Sequence, residues 1–500
     1  MRAHDDLETA SNPEGLSRVV IEPITRVEGH GKVTLLLDED RRVRQARLHI
    51  VEFRGFERFI VGRPFWELPT MVQRLCGICP VSHLLAASKA CDAFVLGHGR
   101  LTPTAEKLRR FVHFGQVLQS NALHFFHLAS PDLLFGADDD VAHRNLVGVL
   151  ADHPDVALRG VKIRKYGQEV IRHLTGKRVH GTGAVPGGYN KRLLPSERDE
   201  MANDIGTIVE WCADAVVLAR DLFLAELPGN ATFGAADGAF LSLVRPDGGY
   251  ELYDGGLRVK DENGTLFDDH VPSASYGELI HEEIKNWSYL KFPFLRRLGT
   301  EAGRYRVGPL ARVNNCDFIP TPRAEAARRE FLAFGGGKPV QATLSMHWAR
   351  MIDMLHCAES LEEMLRDPEL LGDDLMAKGE PLREGVGILE APRGTLIHHY
   401  QIGEDDLVTM ANLIVSTTHN NHGMNESVRA VADSVFDGRE LTEGMLNRIE
   451  VAIRAYDPCL SCATHALGKM PLAVELLDAE GKRIDRATRD SEGAFVHEGA

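Results

Sequence analysis

The chain opens in strand-like runs: Val19 to Ile21, then Val33 to Leu37, then Val43 to Val51 after the acidic turn Asp38-Glu39-Asp40. A helical period takes over near Cys76. Pro80 stands where a first helical residue belongs, and Leu84, Leu85, Ala87, Ser88 and Cys91 recur at helical spacing. Thr102-Pro103 reads as the cap and first residue of a long helix carrying Leu108, Phe111, Val112, Leu118, Ala122, Leu123, Phe125 and Phe126, which Pro131 is expected to stop. Pro195-Ser196 opens another, with Met201, Ile205, Ile208, Cys212, Ala215 and Leu222 on its apolar stripe. From Pro228 to Ser273 the chain is polar and glycine-rich, with a turn at Asp261-Glu262-Asn263-Gly264 between short strand-like pieces. Helices are expected over Pro322 to Phe334, Leu344 to Leu365 and Thr442 to Tyr456, and strands across Gly385 to Tyr400. The predicted class is α+β: one large body on a bundle of long helices, with small β elements near the N-terminus and in the C-terminal third. No internal repeat or linker divides it.

Composition narrows the function. Hydrophobic residues at 44% and charged residues at 26% are those of a globular chain, which excludes global disorder. Lys and Arg number 57 against 72 Asp and Glu, a net charge of −15 that repels phosphate backbones and argues against a nucleic-acid partner. Met1 to Ser17 carries Asp5, Asp6, Glu8 and Glu14 without an apolar core, so no signal peptide or twin-arginine pair is read there, only a flexible start. No stretch reaches the roughly twenty uncharged apolar residues of a membrane helix. Ala213 to Leu227, the nearest approach, is broken by Asp214, Arg220, Asp221 and Glu226. A cytoplasmic location is expected.

Eight cysteines are too few for a disulfide scaffold in 500 residues, so their placement carries the information. Two Cys-x-x-Cys pairs stand at opposite ends of the chain: Cys76-Gly77-Ile78-Cys79, with His83 beyond it, and Cys459-Leu460-Ser461-Cys462, with His465 beyond it. Two intervening residues let both thiolates of a pair turn toward one ion, and four thiolates complete a soft site. Zinc is the commonest use of such pairs, but zinc modules close locally, and a redox dithiol needs only one pair. Spacing alone leaves the metal open. Cys91, Cys212, Cys316 and Cys357 have no partner at ligand spacing and are expected to be buried apolar residues.

The residues around the pairs narrow the choice. Thr25-Arg26-Val27-Glu28-Gly29-His30, Phe53-Arg54-Gly55-Phe56-Glu57, the first cysteine motif, Ala391-Pro392-Arg393-Gly394 and Asp457-Pro458-Cys459-Leu460-Ser461-Cys462-Ala463-Thr464-His465 occur in order along nearly the whole chain. In these it resembles the large, catalytic subunit of nickel–iron hydrogenases. Pro80 to Asp92 and Trp287-Ser288-Tyr289-Leu290-Lys291-Phe292-Pro293 look most similar to the soluble, NAD-reducing bidirectional branch.

The resemblance implies reversible heterolytic cleavage of dihydrogen at a nickel–iron centre bearing carbon monoxide and cyanide. Cys76 and Cys459 are then terminal nickel ligands, and Cys79 and Cys462 bridge to iron. Cys459 becomes the first proton acceptor and Glu28 the next; read without the family, Glu28 would pair with Arg26. Arg393 is implied to hang over the open metal position, oriented by Asp132, and Thr417 to hydrogen-bond a cyanide, although Ser416 departs from the usual local pattern. Glu57, His465 and the main-chain carbonyl near Leu413 are implied ligands of a magnesium-like ion, and His83 a neighbour of the cluster.

Family precursors are cut after the histidine that corresponds to His465. The chain is therefore expected to form a single domain over residues 1–465, with Ala466 to Ala500 a removable maturation extension, hairpin-like near Ala473 to Gly481. The implied partners are an iron–sulfur small subunit, NAD-reducing diaphorase subunits, and a maturation endopeptidase. This chain is expected to hold neither iron–sulfur cluster nor NAD: Gly181-Thr182-Gly183-Ala184-Val185-Pro186-Gly187 lacks the strand-to-helix setting of a dinucleotide fingerprint. Three alternatives stay open. A related subunit of respiratory complex I would lack the cysteine pairs, a regulatory hydrogen sensor would lack the tail, and a structural zinc protein would leave Glu28 and Arg393 without a role.

Overall fold

The computed structural model describes residues 17–464 apart from 39, 41, 286 and 437–441, and the backbone of strands Leu472–Leu477, Arg483–Arg489 and Phe495–Glu498. Strands β1 (Ser17–Ile21), β2 (Gly31–Leu37) and β3 (Val43–Ile50) form an antiparallel meander in that order. Its inner face, with Val33, Leu35, Leu48 and Ile50 buried, packs on the helical body.

Helix α1 (Pro80–Leu96) starts at the expected proline and is buried on nearly every side. Thr102 caps α2 (Pro103–Leu123), its hydroxyl accepting from the Ala105 amide at 3.2 Å. Pro131 does not end this helix. The chain widens into a π-turn over His124–Ala129 and continues through Ser130–Phe135, where Pro131 falls in a first turn that asks nothing of its missing N–H. Helix α3 (Pro154–Thr175), absent from the expected elements, packs on α2; α4 (Pro195–Ala225) packs on α5 (Ser345–Met364), and α5 on α2. These four make the bundle.

In the C-terminal third, β4 (Glu384–Ala391), β5 (Gly394–Ile402) and β6 (Val408–Ile414) form a second antiparallel meander. It lies directly on α1. A Cβ at Gly387 would sit 2.1 Å from the Ala86 carbonyl oxygen, so only glycine admits this approach. A third sheet, Tyr305–Arg306, Ala239–Val244, Gly256–Lys260 and Leu266–Val271, covers the polar stretch, with the expected turn at Asp261 to Gly264. Helices α6 (Asn421–Val435) and α7 (Glu443–Ala455) close the body against β3 and each other. Strands Leu472–Leu477 and Arg483–Arg489 pair antiparallel, as the hairpin-like pattern of the tail predicts. No helix among the described residues is long and apolar enough to cross a membrane.

Candidate metal centre

Cys76 ends a short turn before α1, and Cys79 occupies the N-cap of α1, where the first-turn amides favour a thiolate. The Ile78 and Cys79 amides donate to Cys76 Sγ at 3.2 and 3.1 Å. Gln116 and Gln119 of α2 clamp the loop by donating to the Ile78 carbonyl at 2.9 and 2.7 Å, and His180 hydrogen-bonds the Cys76 carbonyl. One pair is thus fixed by the turn that carries it, the adjacent helix and His180.

The second pair sits on the loop after α7 and is held from elsewhere. The Leu460 amide donates to the Glu28 carbonyl at 2.9 Å, pairing the β1–β2 loop with the Cys459 segment as a parallel bridge. Gly29 permits it: at φ 86°, its Cβ would lie 2.6 Å from the Ser461 nitrogen. Arg454 of α7 ties the same loop down through the Thr25 carbonyl (3.0 Å) and hydroxyl (2.9 Å). The Thr417 hydroxyl accepts from the Cys459 amide at 2.9 Å.

The four Sγ atoms lie within 4.8 Å of one another, all buried, with Cys76 and Cys459 at 3.4 Å. Among the described residues no other cluster of three or more metal-ligating side chains forms. Hydrogen bonds from Cys459, Cys462 and Cys76, and from His83, hold the Cys79 thiol well below the usual range against its burial. Burial and the neighbouring sulfurs push Cys459 and Cys462 well up. Four buried thiols gathered within reach of one point fit a thiophilic cation, which ionises the thiols it binds. The donor set, all sulfur and without a carboxylate, suits nickel and iron as readily as zinc.

Glu28 does not pair with Arg26. Its Oε2 accepts from Cys459 Sγ at 3.0 Å and from the Ser461 amide at 3.2 Å, and its Oε1 accepts from the Ser461 hydroxyl. Arg26 turns away to the Leu128 carbonyl and Asp132. Arg393 and Thr417 line one small cavity with Cys79, His83 and Cys459.

Asp132 does not orient Arg393. It is engaged by Arg26 at 2.6 Å and Arg454 at 2.8 Å, one turn past the π-turn and turned toward α7. Arg393 is held instead by Asp457, through its carbonyl (2.6 Å) and carboxylate (3.0 Å), and by the Ser120 hydroxyl (3.3 Å). Asp457 takes the left-handed φ of 52° to reach it. Burial opposes its charge, but Arg393 and then His124, 3.0 Å away, hold the Asp457 carboxyl below its usual range. Arg312 steadies the turn from below, donating to the Ala391 and Pro392 carbonyls at 3.0 and 3.4 Å and pairing with Asp353 and Glu390. No sequence pattern marks Ser120 or Arg312. Asp457 stands directly before Pro458-Cys459, and that adjacency is the one signal by which it could be found.

Glu57 is buried and accepts from the Leu413 amide at 2.9 Å, with Lys291 at 3.7 Å. Burial raises its carboxyl to about 7, against the pull of Lys291. Glu57 and Leu413 are thus brought together, while His465, expected beside them, lies outside the described residues. The four remaining cysteines are buried and free.

Known proteins match this arrangement along its length. A HoxL-like family model covers residues 18–53, and the model described as nickel-dependent hydrogenase covers residues 54–135 and 260–465, more than half of the chain. The chain is 46% identical over 489 residues to the NAD-reducing hydrogenase HoxS subunit beta of Cupriavidus necator, covering 94% of this chain and 99% of that one. It is 40% identical over 476 residues to an F420-non-reducing hydrogenase chain of Methanothermobacter thermautotrophicus, again covering 94% and 99%. The crystal structure of an NAD+-reducing [NiFe]-hydrogenase in the H2-reduced state superimposes with a TM-score of 0.88 at 55% identity, covering 90% of this chain and 99% of that one. The [NiFeSe]-hydrogenase of Dm. baculatum shares the fold, with a TM-score of 0.71 at 22% identity over 90% of this chain and all of that one. With its cysteine pairs converged and its length matched in these proteins, the chain belongs to the nickel-dependent hydrogenases as a large subunit.

Proposed function

We propose that this chain catalyses the reversible reaction H2 to two protons and two electrons, with NAD+ as final acceptor in a cytoplasmic complex. The observation that carries the reading is the convergence of four buried thiols with Glu28 on Cys459 and with Arg393 on the same cavity. Cys76 and Cys459 would hold nickel terminally, and Cys79 and Cys462 would bridge to iron. Bound there, a nickel–iron centre with carbon monoxide and cyanide on its iron supplies the heterolytic cleavage of dihydrogen.

The chain's own residues then move the proton and fix the charge. Cys459 Sγ passes a proton to Glu28 Oε2 across 3.0 Å, and the Ser461 amide and hydroxyl, both donating to the same carboxylate, hold it in place to receive it. Arg393 is a fixed cation beside the reacting position: Asp457 and Ser120 hold its buried guanidinium in place, so it stabilises developing negative charge with little reorganisation. Thr417 sets the Cys459 backbone and lines the cavity where a cyanide would lie.

Glu57 supplies a buried carboxylate for a magnesium-type ion, completed by the Leu413 carbonyl and His465; such an ion would neutralise a group that burial otherwise leaves half-protonated near neutral pH. Electrons leave through an iron–sulfur small subunit, then diaphorase subunits, by analogy with the NAD-reducing relative. Residues 466–500 are removed after His465 by an endopeptidase once the metals are in place.

An infrared spectrum of the complex purified from its native host tests the reading. Bands of carbon monoxide and cyanide on iron are expected. Their absence from protein whose intact mass ends at His465 would overturn it. Active enzyme whose mass still included Ala500 would overturn the proteolytic step alone.

A further inference from the structure

Behind the cysteine cluster a line of buried rings runs from α1 to the β5 strand. His83, on the first turn of α1, lines the cavity that Cys79, Arg393 and Cys459 share. Its Nδ1 is 3.1 Å from His398 Nε2, and His398 Nδ1 is 2.6 Å from the Tyr400 hydroxyl. His398 and Tyr400 are two apart on β5, so the strand period puts both on the face that rests on α1. All three side chains are buried.

The direction of these hydrogen bonds follows from what each group can leave unsatisfied. Among the described residues His398 is the one hydrogen-bond partner of the Tyr400 hydroxyl. If that hydroxyl accepted, its own proton would be buried without an acceptor, at about 1–3 kcal/mol. If it donates, only a lone pair goes unused, which costs less. Tyr400 therefore donates to Nδ1 of His398. A neutral His398 then carries its proton on Nε2 and donates it to Nδ1 of His83. A neutral His83 must carry its own proton on Nε2, which leaves that N–H for Cys79, a residue that lines the same cavity and whose thiol His83 holds down by hydrogen bonding.

We propose that Tyr400 is a positioning residue which, acting through His398, locks His83 in the tautomer whose N–H points at Cys79. The proposal rests on the reading of Cys79 as a bridging thiolate. An N–H donated to that sulfur draws electron density from it, so the hydroxyl of Tyr400 tunes, from two rings away, how strongly one bridge donates to iron. The apolar equivalent, Tyr400→Phe, preserves the ring and its packing and removes only the polarity of the line.

The test compares the parent complex with Tyr400→Phe by infrared spectroscopy. The carbon monoxide band is expected at lower frequency in the variant, because a more electron-rich sulfur pushes density through iron into carbon monoxide. His398→Phe, which severs the line, should shift it in the same direction and further. Parent and variant bands at the same frequency would overturn the proposal; absence of bands from the processed parent would instead overturn the hydrogenase reading. For a variant that takes up no metal, the tautomer is read directly. In the full-length metal-free chain labelled with nitrogen-15 histidine, and with His83→Asn to assign the signals, parent His83 should show a protonated Nε2 and a bare Nδ1. Tyr400→Phe should mix the two tautomers, and an unchanged His83 pattern there would equally refute the proposal.

Discussion

The two cysteine pairs have the same spacing and reach the same centre, yet they are held in opposite ways. Cys76 and Cys79 are set mainly by their own neighbourhood: a turn whose amides face Cys76 Sγ, a helix starting at Pro80 and two glutamines from the next helix, with His180 reaching in from farther along the chain. Cys459 and Cys462 are set by residues distant in the chain, with Glu28 and Thr417 bonded to the loop and Arg393 anchoring Asp457. The second pair's geometry depends on the β1–β2 loop, the β4–β5 turn and α7 all being docked, since its partners come from each of them.

Substitutions in either pair should produce the largest effect. Cys79→Ser and Cys459→Ser should each abolish activity, and metal analysis of the purified chain should show nickel lost from both. Equal retention of nickel by either variant would break the picture of one shared site. Glu28→Gln should follow, with turnover lowered by about 10²–10⁴-fold while the infrared bands persist, since proton transfer is removed and the cluster is not. Arg393→Lys keeps the charge but not the fork that Asp457 grips, and should cost about 10²–10³-fold in turnover. If Asp132→Asn matched it in that assay, the assignment of Asp457 as the partner would be wrong.

The packing of α2 against β4 carries a pH dependence. His113 of α2 hydrogen-bonds the Leu252 and Glu390 carbonyls, and burial lowers it to about 4. A base with a depressed folded pKa stabilises the native state fully above its unfolded value of 6.5, and that stability is lost as pH falls toward 4. The full span corresponds to about 3 kcal/mol. His113→Gln, which retains a donor, should flatten the denaturation midpoint between pH 6.5 and 4 relative to the parent. An unchanged slope would show that His113 is not what titrates.

Thr417→Val and Gln119→Leu give the smallest and sharpest comparison. The first strips the Cys459 amide of its acceptor and should cost about 1 kcal/mol in urea unfolding. The second leaves the Ile78 carbonyl with Gln116 and should cost less. The reverse order would mean that the locally built pair is the more dependent of the two.

The helix starts were legible because proline and capping residues act over a few residues: Pro80, Thr102-Pro103, Pro195 and Pro322 each begin a helix where expected. Pro131 misled because its effect depends on the preceding turn, and a π-turn is invisible to a 3.6-residue period. The third long helix, α3, was missed although His153-Pro154 carries the same kind of start and Gly176 a left-handed C-terminus.

By itself the sequence determined the chemistry on offer: two thiol pairs, a carboxylate in the Glu28 motif, and an arginine in a Pro-Arg-Gly turn. Residue type and short spacing are local quantities, and they fix what a site can bind. Which carboxylate meets which arginine is not local. Asp132 and Asp457 are equally acidic on paper, and only the docking of α7 and the β4–β5 turn gave Arg393 to Asp457 and left Asp132 to Arg26 and Arg454. The same holds for Tyr400, ordinary along its strand until the sheet lay down on α1 and put its hydroxyl in line with His398 and His83. Partner choice among charged and polar groups is set by a few ångströms of burial and approach, and those distances exist only in the folded chain.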